Sequence, residues 1–317
     1  MLKKYLDILP EKKLYSPGPI PQSFRVDITF SHRSKEFQEL YADTKKKLRE
    51  RFNIPDRYNI LFTQGSGTSA IETVLRSLSR DLTSRFFENG GTFCARAEKI
   101  AKQLFLSEEE KSTPGKSFFY YVQFETSSSQ FTFIAPPSLA QYELKIVDCI
   151  SGFGFYPLPI EANIIILSSS KILGGLPVLG IVLYDSKAEK YFIDTGDYLS
   201  IRNYMKYDEV NQTPHTSLIP QFLSLNKALD NPISREQIER NCQALHSDKI
   251  QFIGEKVAPV LTIKVENPKE WVEKFKRINA EIYFNEAYMT DYFQVSMFNY
   301  REPRYYELIR MMLDGEL

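Results

Sequence analysis

The sequence is poor in the residues that staple small folds. Cys94, Cys149 and Cys242 are its three cysteines, far apart and without a CxxC pair among 317 residues. An odd, scattered set is no disulfide framework and fits a reducing compartment. The three histidines, His32, His215 and His246, are equally scattered, so the spacing of a structural zinc site is missing. Charge of one sign is missing too. Forty Lys and Arg balance forty Asp and Glu, which gives no global pull on nucleic acid or anionic lipid. No basic stripe with interleaved aromatics argues for nucleic-acid binding. The longest uncharged apolar run, residues 172–184, is too short to span a bilayer and contains Gly and Pro. The opening MLKKYLDILPEKK carries charges where a secretory signal needs an apolar core. The expectation from these absences is a cytoplasmic protein without metal or membrane.

What is present suits an ordinary folded protein. Charged residues make up 25% and hydrophobic ones 43%, which disfavours disorder and rods. The length suggests about two domains. After a Pro-rich start, expected as an extended arm over residues 1–30, Phe37, Leu40, Tyr41, Thr44, Leu48 and Phe52 recur at helical spacing. The Lys45-Lys46-Lys47 run between them reads as a solvated face. Short apolar, β-branched runs at 58–62, 118–124, 144–148, 164–167 and 178–184 read as buried strands. Helical patterns at 69–78 and 95–106 separate some of them. This alternation predicts an α/β architecture with a mostly parallel central sheet. A helix over 233–245 connects it to a smaller α+β domain. The expected boundaries are 1–248 for the large domain and 249–317 for the small one.

Three segments carry candidate chemistry. Gly65-Ser66-Gly67-Thr68 lies between a strand and a helix. Glycines admit close backbone approach, and a helix start offers unpaired N–H groups and a positive dipole end, so the segment suits a phosphate. It equally suits a plain tight turn with Thr68 or Ser69 as the helix cap. Ile164-Ile165-Ile166-Leu167 runs into Ser168-Ser169-Ser170-Lys171. A lysine held at a strand end among apolar walls has a lowered pKa and attacks carbonyls as a free amine; the bland reading is a surface lysine in a serine-rich loop. Asp148 ends the apolar strand 144–148, where ligands collect in open α/β sheets, or it caps a helix.

Together, a phosphate cradle, a carboxylate and an amine match pyridoxal 5′-phosphate (PLP). The amine forms a Schiff base with the aldehyde, and the carboxylate keeps the ring nitrogen protonated. Phe93 is a candidate for stacking on the ring, with ordinary core as its competing role.

These segments, with Ser31-His32-Arg33-Ser34-Lys35-Glu36-Phe37, resemble the class V aminotransferase family of PLP fold type I, most of all its phosphoserine aminotransferases. The resemblance runs from about residue 17 to the C-terminus. It implies Lys171 as the Schiff-base lysine, Asp148 and Ser151 on the pyridine-nitrogen strand, and Phe93 as the stacking ring. It implies Thr126 as a cofactor contact after Glu125, and Ser66, Gly67 and Thr68 as the phosphate turn. Gln212-Thr213-Pro214 resembles a turn that reaches the partner subunit's cofactor phosphate, so a homodimer is implied. Ser296, Asn299 and Pro303 resemble the small-domain strand near the C-terminus.

The departures concern substrate. Gln294 stands where the family has an arginine for the substrate carboxylate, and glutamine makes no bidentate ion pair. Ala287 and Tyr288 replace a His-Arg pair, Ser170 replaces a Gln before the lysine, and Phe93 replaces a Trp. His32 and Arg33 remain candidates for substrate contact, as does a helix-entry role for their segment. The expectation is a PLP-dependent aminotransferase acting on an amine or amino acid other than phosphoserine. A PLP-dependent decarboxylase or lyase on a bulky or modified amine, and a non-catalytic relative, are the alternatives.

Overall fold

In a computed structural model of the chain, the residues described are 13–16, 30–88, 90–106, 115–216, 219–287 and 289–317. The expected arm over 1–30 therefore lies largely outside the described residues, as does Tyr288. The described residues form two compact units. One takes those of 24–127 and 131–232; the other takes those of 1–23, 128–130 and 233–317.

The first unit is built on six strands. In chain order its elements are α1 (Lys35–Arg51), β1 (Asn59–Gln64), α2 (Gly67–Ser77), β2 (Thr83–Phe86), α3 (Gly91–Ala101), β3 (Ser117–Val122), β4 (Leu144–Asp148), β5 (Ile164–Ser168), β6 (Leu179–Tyr184), α4 (Ile201–Asp208) and α5 (Ile219–Asp230). The sheet order is β1-β6-β5-β4-β3-β2. Strands β2, β3, β4 and β5 pair in parallel, while β6 runs antiparallel to both β5 and β1. The mostly parallel sheet is as expected.

The apolar runs follow from double-sided burial. Along β5, Ile165 and Leu167 join one core with Phe37, Tyr41 and Phe222, whereas Ile164 and Ile166 join another with Ile71, Val74 and Tyr120. Both faces of each central strand are covered, so alternation gives way to continuous Ile, Leu and Val. Helix α1 starts where Ser34 accepts a hydrogen bond from Phe37 N, the helix-entry role expected of that residue. The three cysteines are buried and free. No helix among the described residues is long and apolar enough to cross a membrane.

The second unit holds α6 (Arg235–Leu245), β7 (Phe252–Ile253), β8 (Val260–Lys264), α7 (Pro268–Arg277), β9 (Tyr292–Ser296) and α8 (Arg304–Leu313). β7, β8 and β9 form an antiparallel sheet. The two compact units divide at 232/233. Helix α6 is not a neutral connector: Ile238, Cys242 and Leu245 are buried, and Asn241 Nδ2 donates to Met297 O and Tyr300 O, both at 2.8 Å. Its polar look in sequence concealed a buried stripe. The N-terminal residues Lys13–Leu14 add a short parallel strand to Ala280–Glu281. Asn299 Nδ2 donates to Leu14 O and Ser16 O, and Ser296 Oγ donates to Asn299 Oδ1 at 3.0 Å. The C-terminal resemblance thus falls on residues that tie the start of the chain to its end.

Asn241→Leu removes both donors from buried carbonyls at similar volume. We expect a loss of about 2–4 kcal/mol in urea unfolding, seen as a lower midpoint for the transition that reports on Trp271.

Candidate active site

The six-stranded sheet places its reactive groups by register. In the parallel pair β4–β5, Asp148 is opposite Ile166, so β4 ends while β5 continues to Ser168. Asp148 is therefore the last residue of its strand, and the Ser-Ser-Ser-Lys segment leaves the neighbouring strand on the same edge. A short 3-10 turn, Lys171–Leu173, follows and ends at Gly174, φ 77°. Lys171 itself has φ 67°, a left-handed conformation uncommon outside glycine. The turn is tied down on both sides: Ser169 N donates to Leu179 O and Gly175 N donates to Ser169 O, while Ser169 Oγ donates to Leu176 O. Val178, at φ 78°, is a β-branched residue in the same region and marks local strain.

One cavity of about 210 Å³ lies at this edge. Ser66, Gly67, Thr68, Phe93, Asp148, Ser151, Ser170 and Lys171 all face it, within walls of Ile71, Val122, Phe124, Ile150, Pro177 and Val178. Seven of the expected cofactor residues, scattered over more than a hundred positions, thus come together. Thr126, Gln212 and Thr213 do not line it, nor do His32 and Arg33. Thr126 is buried. Gln294 belongs to the second unit, buried on β9, where its Nε2 donates to Thr262 Oγ1 at 3.0 Å.

Burial sets the electrostatics. Asp148 is 4% exposed. Its Oδ1 accepts from Ile150 N at 2.9 Å and its Oδ2 from Tyr120 OH at 3.4 Å. Loss of water raises its pKa to about 7, with Glu125 adding to the rise and the Ile150 N–H, Tyr120 and Lys171 opposing it. Desolvation lowers Lys171 to about 8, and the charge of Asp148 pulls the other way. The amine and the carboxylate feel one another, and each is the other's partial compensation.

The phosphate turn is shaped by space. Gly65 has φ 103°, and a Cβ on Gly67 would sit 2.4 Å from Ile150 Cδ1. Ser66 caps α2 by accepting from Ser69 N, so the first N–H groups of the helix start at the cavity wall.

Helix α3 begins at Gly91, four residues earlier than expected, which puts Phe93 inside its first turn. The cap comes from afar: Glu125 Oε2 accepts from Phe93 N at 3.1 Å, and Oε1 accepts from Ser127 N and Oγ. Burial raises the Glu125 pKa while these donors oppose the rise. No local Ser, Thr or Asp marks the start, so the sequence pattern missed it. Arg96, one turn on, was missed as well. Its only signal is the i, i+3 spacing from Phe93. Its Cζ lies 5.1 Å from the Phe93 ring centroid, and Nη1 donates to Thr68 Oγ1 at 3.4 Å.

Arg33 is engaged elsewhere. Its guanidinium donates to Gln212 Oε1, Thr213 O and Pro214 O at 2.8–3.1 Å and lies 4.8 Å from the Tyr207 ring centroid. It holds the 212–214 turn. His32 is half-buried, its pKa lowered by burial and by Arg33.

Two measurements follow from these shifts. Selective modification of Lys171 by an amine reagent should rise with pH around a midpoint near 8, far below an ordinary lysine. Between about pH 4 and 7 the folded chain holds a proton on Asp148 that the unfolded chain has released, so stability falls as pH rises there. Asp148→Asn should therefore match the wild type near pH 4. At pH 9, where Lys171 is largely neutral, it should exceed the wild type by about 4 kcal/mol in denaturant unfolding.

Comparison with known proteins places this geometry. Residues 24–93 match the family model for aminotransferase class-V. A phosphoserine aminotransferase of Drosophila melanogaster is 26% identical over 204 residues, 59% of this chain and 56% of that protein. One of Dictyostelium discoideum is 24% identical over 59% of this chain and 54% of its own length. The chain thus matches little more than half the length of these curated relatives. Among solved structures, a phosphoserine aminotransferase of Cytophaga hutchinsonii superposes with a TM-score of 0.80 at 18% identity, over 98% of this chain and 100% of that one. An aspartate aminotransferase of Thermus thermophilus gives 0.81 at 18% identity, over 96% and 100%. The chain is thus similar in sequence to class V aminotransferases over part of its length and has the fold of these solved structures.

Proposed function

We propose that this chain is a PLP-dependent aminotransferase whose substrate is an amine or amino acid other than phosphoserine. The observation that carries it is the joint placement of Asp148 and Lys171, at the ends of adjacent parallel strands, in one cavity with a helix start and an aromatic ring. Neither a buried carboxylate nor a desolvated amine helps to fill a core, and both belong to the chemistry of this cofactor.

The residues fit the group. Bound PLP supplies an aldehyde that captures amines and a ring that takes up carbanion charge. Lys171 Nζ supplies the amine. With a pKa of about 8, roughly a quarter of it is unprotonated at pH 7.5, against about one part in a thousand for an ordinary lysine. Asp148 would hold a proton on the ring nitrogen, and a cation there would favour the ionised form of the carboxylate. Ser66, Gly67 and Thr68 present hydroxyls and N–H groups to a phosphate. Phe93 offers a face for the ring. The free Lys171 amine would also serve in the cavity as the base that moves a proton. The strained Lys171 backbone and its double tether hold that amine in one place. Gln212 and Thr213, held by Arg33 outside the cavity of their own chain, suit contact with a second copy, so we read the working form as a homodimer, and the compartment as the cytoplasm.

Gln294 favours a second reading on substrate. It is neutral, buried and committed to Thr262, which leaves the carboxylate-binding position without a charge. A PLP-dependent decarboxylation or elimination on a bulky or modified amine uses the same lysine and aspartate, and differs in which bond is held perpendicular to the ring.

Purified protein supplied with PLP should develop a visible absorption band. Borohydride should fix the cofactor's mass to the peptide carrying Lys171, and Lys171→Ala should abolish both signals. A wild-type protein that stays colourless and unlabelled would refute the proposal.

A further inference from the structure

Three charged side chains line the cavity: Asp148, Lys171 and Arg96. The first two have roles in the proposed chemistry. Arg96 has none, and it is the one guanidinium in that lining. It pairs with no carboxylate among the described residues. Its one hydrogen bond is the long 3.4 Å contact to Thr68 Oγ1, and Thr68 belongs to the first turn of α2, beside Ser66 and Gly67.

We propose that Arg96 is a binding residue for the phosphate group at this end of the cavity, an inference that rests on the proposed cofactor. Charge balance points the same way. A phosphate ester carries about 1.5–2 negative charges at neutral pH, and a helix start offers the equivalent of roughly +0.5. About one negative charge or more is left for a side chain to meet, and Lys171 is unavailable once its amine is used. A guanidinium is well suited, since its planar fork donates two parallel hydrogen bonds to phosphate oxygens. The same residue lies against Phe93, at 5.1 Å from the ring centroid. One helix, capped from a distance by Glu125, thus delivers both a ring for stacking and a cation for the phosphate.

The test compares two aldehydes. Apo-protein is titrated with PLP and with pyridoxal, which lacks the phosphate, and the band due to Lys171 is followed. Arg96→Gln should weaken PLP at least tenfold while pyridoxal binding changes less than twofold, with Arg96→Lys in between. Unchanged PLP affinity in Arg96→Gln would overturn the proposal. Equal weakening for both aldehydes would overturn it too, and would show that Arg96 acts through Phe93. Inorganic phosphate alone, titrated by calorimetry, separates this proposal from the one it rests on. Phosphate binding that Arg96→Gln abolishes, in a protein that forms no band with either aldehyde, would sink the cofactor reading and keep the anion site. Phosphate binding that ignores the substitution would sink the anion site.

Discussion

A carboxylate and an amine are held out of water at the ends of two adjacent strands, and the arrangement of the rest of the larger unit follows from that. Neither group would be buried for stability's sake. Removing a charge from water costs several kcal/mol even after relaxation, and the cost shows as a carboxylate pushed up to about 7 and an amine pulled down to about 8. The fold supports this because both faces of β4 and β5 are packed with Ile, Leu and Val, which makes the strand ends rigid. The cost is concentrated where the backbone is also strained, at Lys171 and Val178, and such strain persists only when the surroundings over-determine it.

Around that pair the cavity has a division of labour by element. Helix α2 begins at it, with glycines where a Cβ would collide. Helix α3 brings Phe93 and Arg96 from a start held by the side chain of Glu125. After β5, Ser169 closes the turn that carries the lysine. Arg33, a candidate for substrate contact, instead braces residues 212–214. Gln294 is neutral and bonded to Thr262, Arg33 is occupied by the 212–214 turn, and Arg96 lines the cavity.

Much of this was legible before the structure. Strand ends at Asp148 and before Lys171 could be read because apolar β-branched runs stop abruptly at polar residues. The helix at 35–51 could be read from spacing and from Ser34. The start of α3 could not, because its cap is supplied by a residue more than thirty positions away. The burial of Ile238, Asn241 and Cys242 could not be read from a helix with a polar average. Arg96 gave no motif at all; an arginine on a helix is ordinary until a cavity is known to open beside it.

Local chemistry in the chain decided which segments are strands, which lysine and aspartate end them, and where a helix starts after a glycine turn, since these depend on neighbours within a few residues. Tertiary structure alone decided that β4 and β5 are parallel neighbours in register, that β6 runs the other way, and that Thr68, Phe93 and Arg96 share one wall. Those facts come from pairing and packing between segments distant in sequence, and the energies that select them are summed over contacts no local pattern encodes.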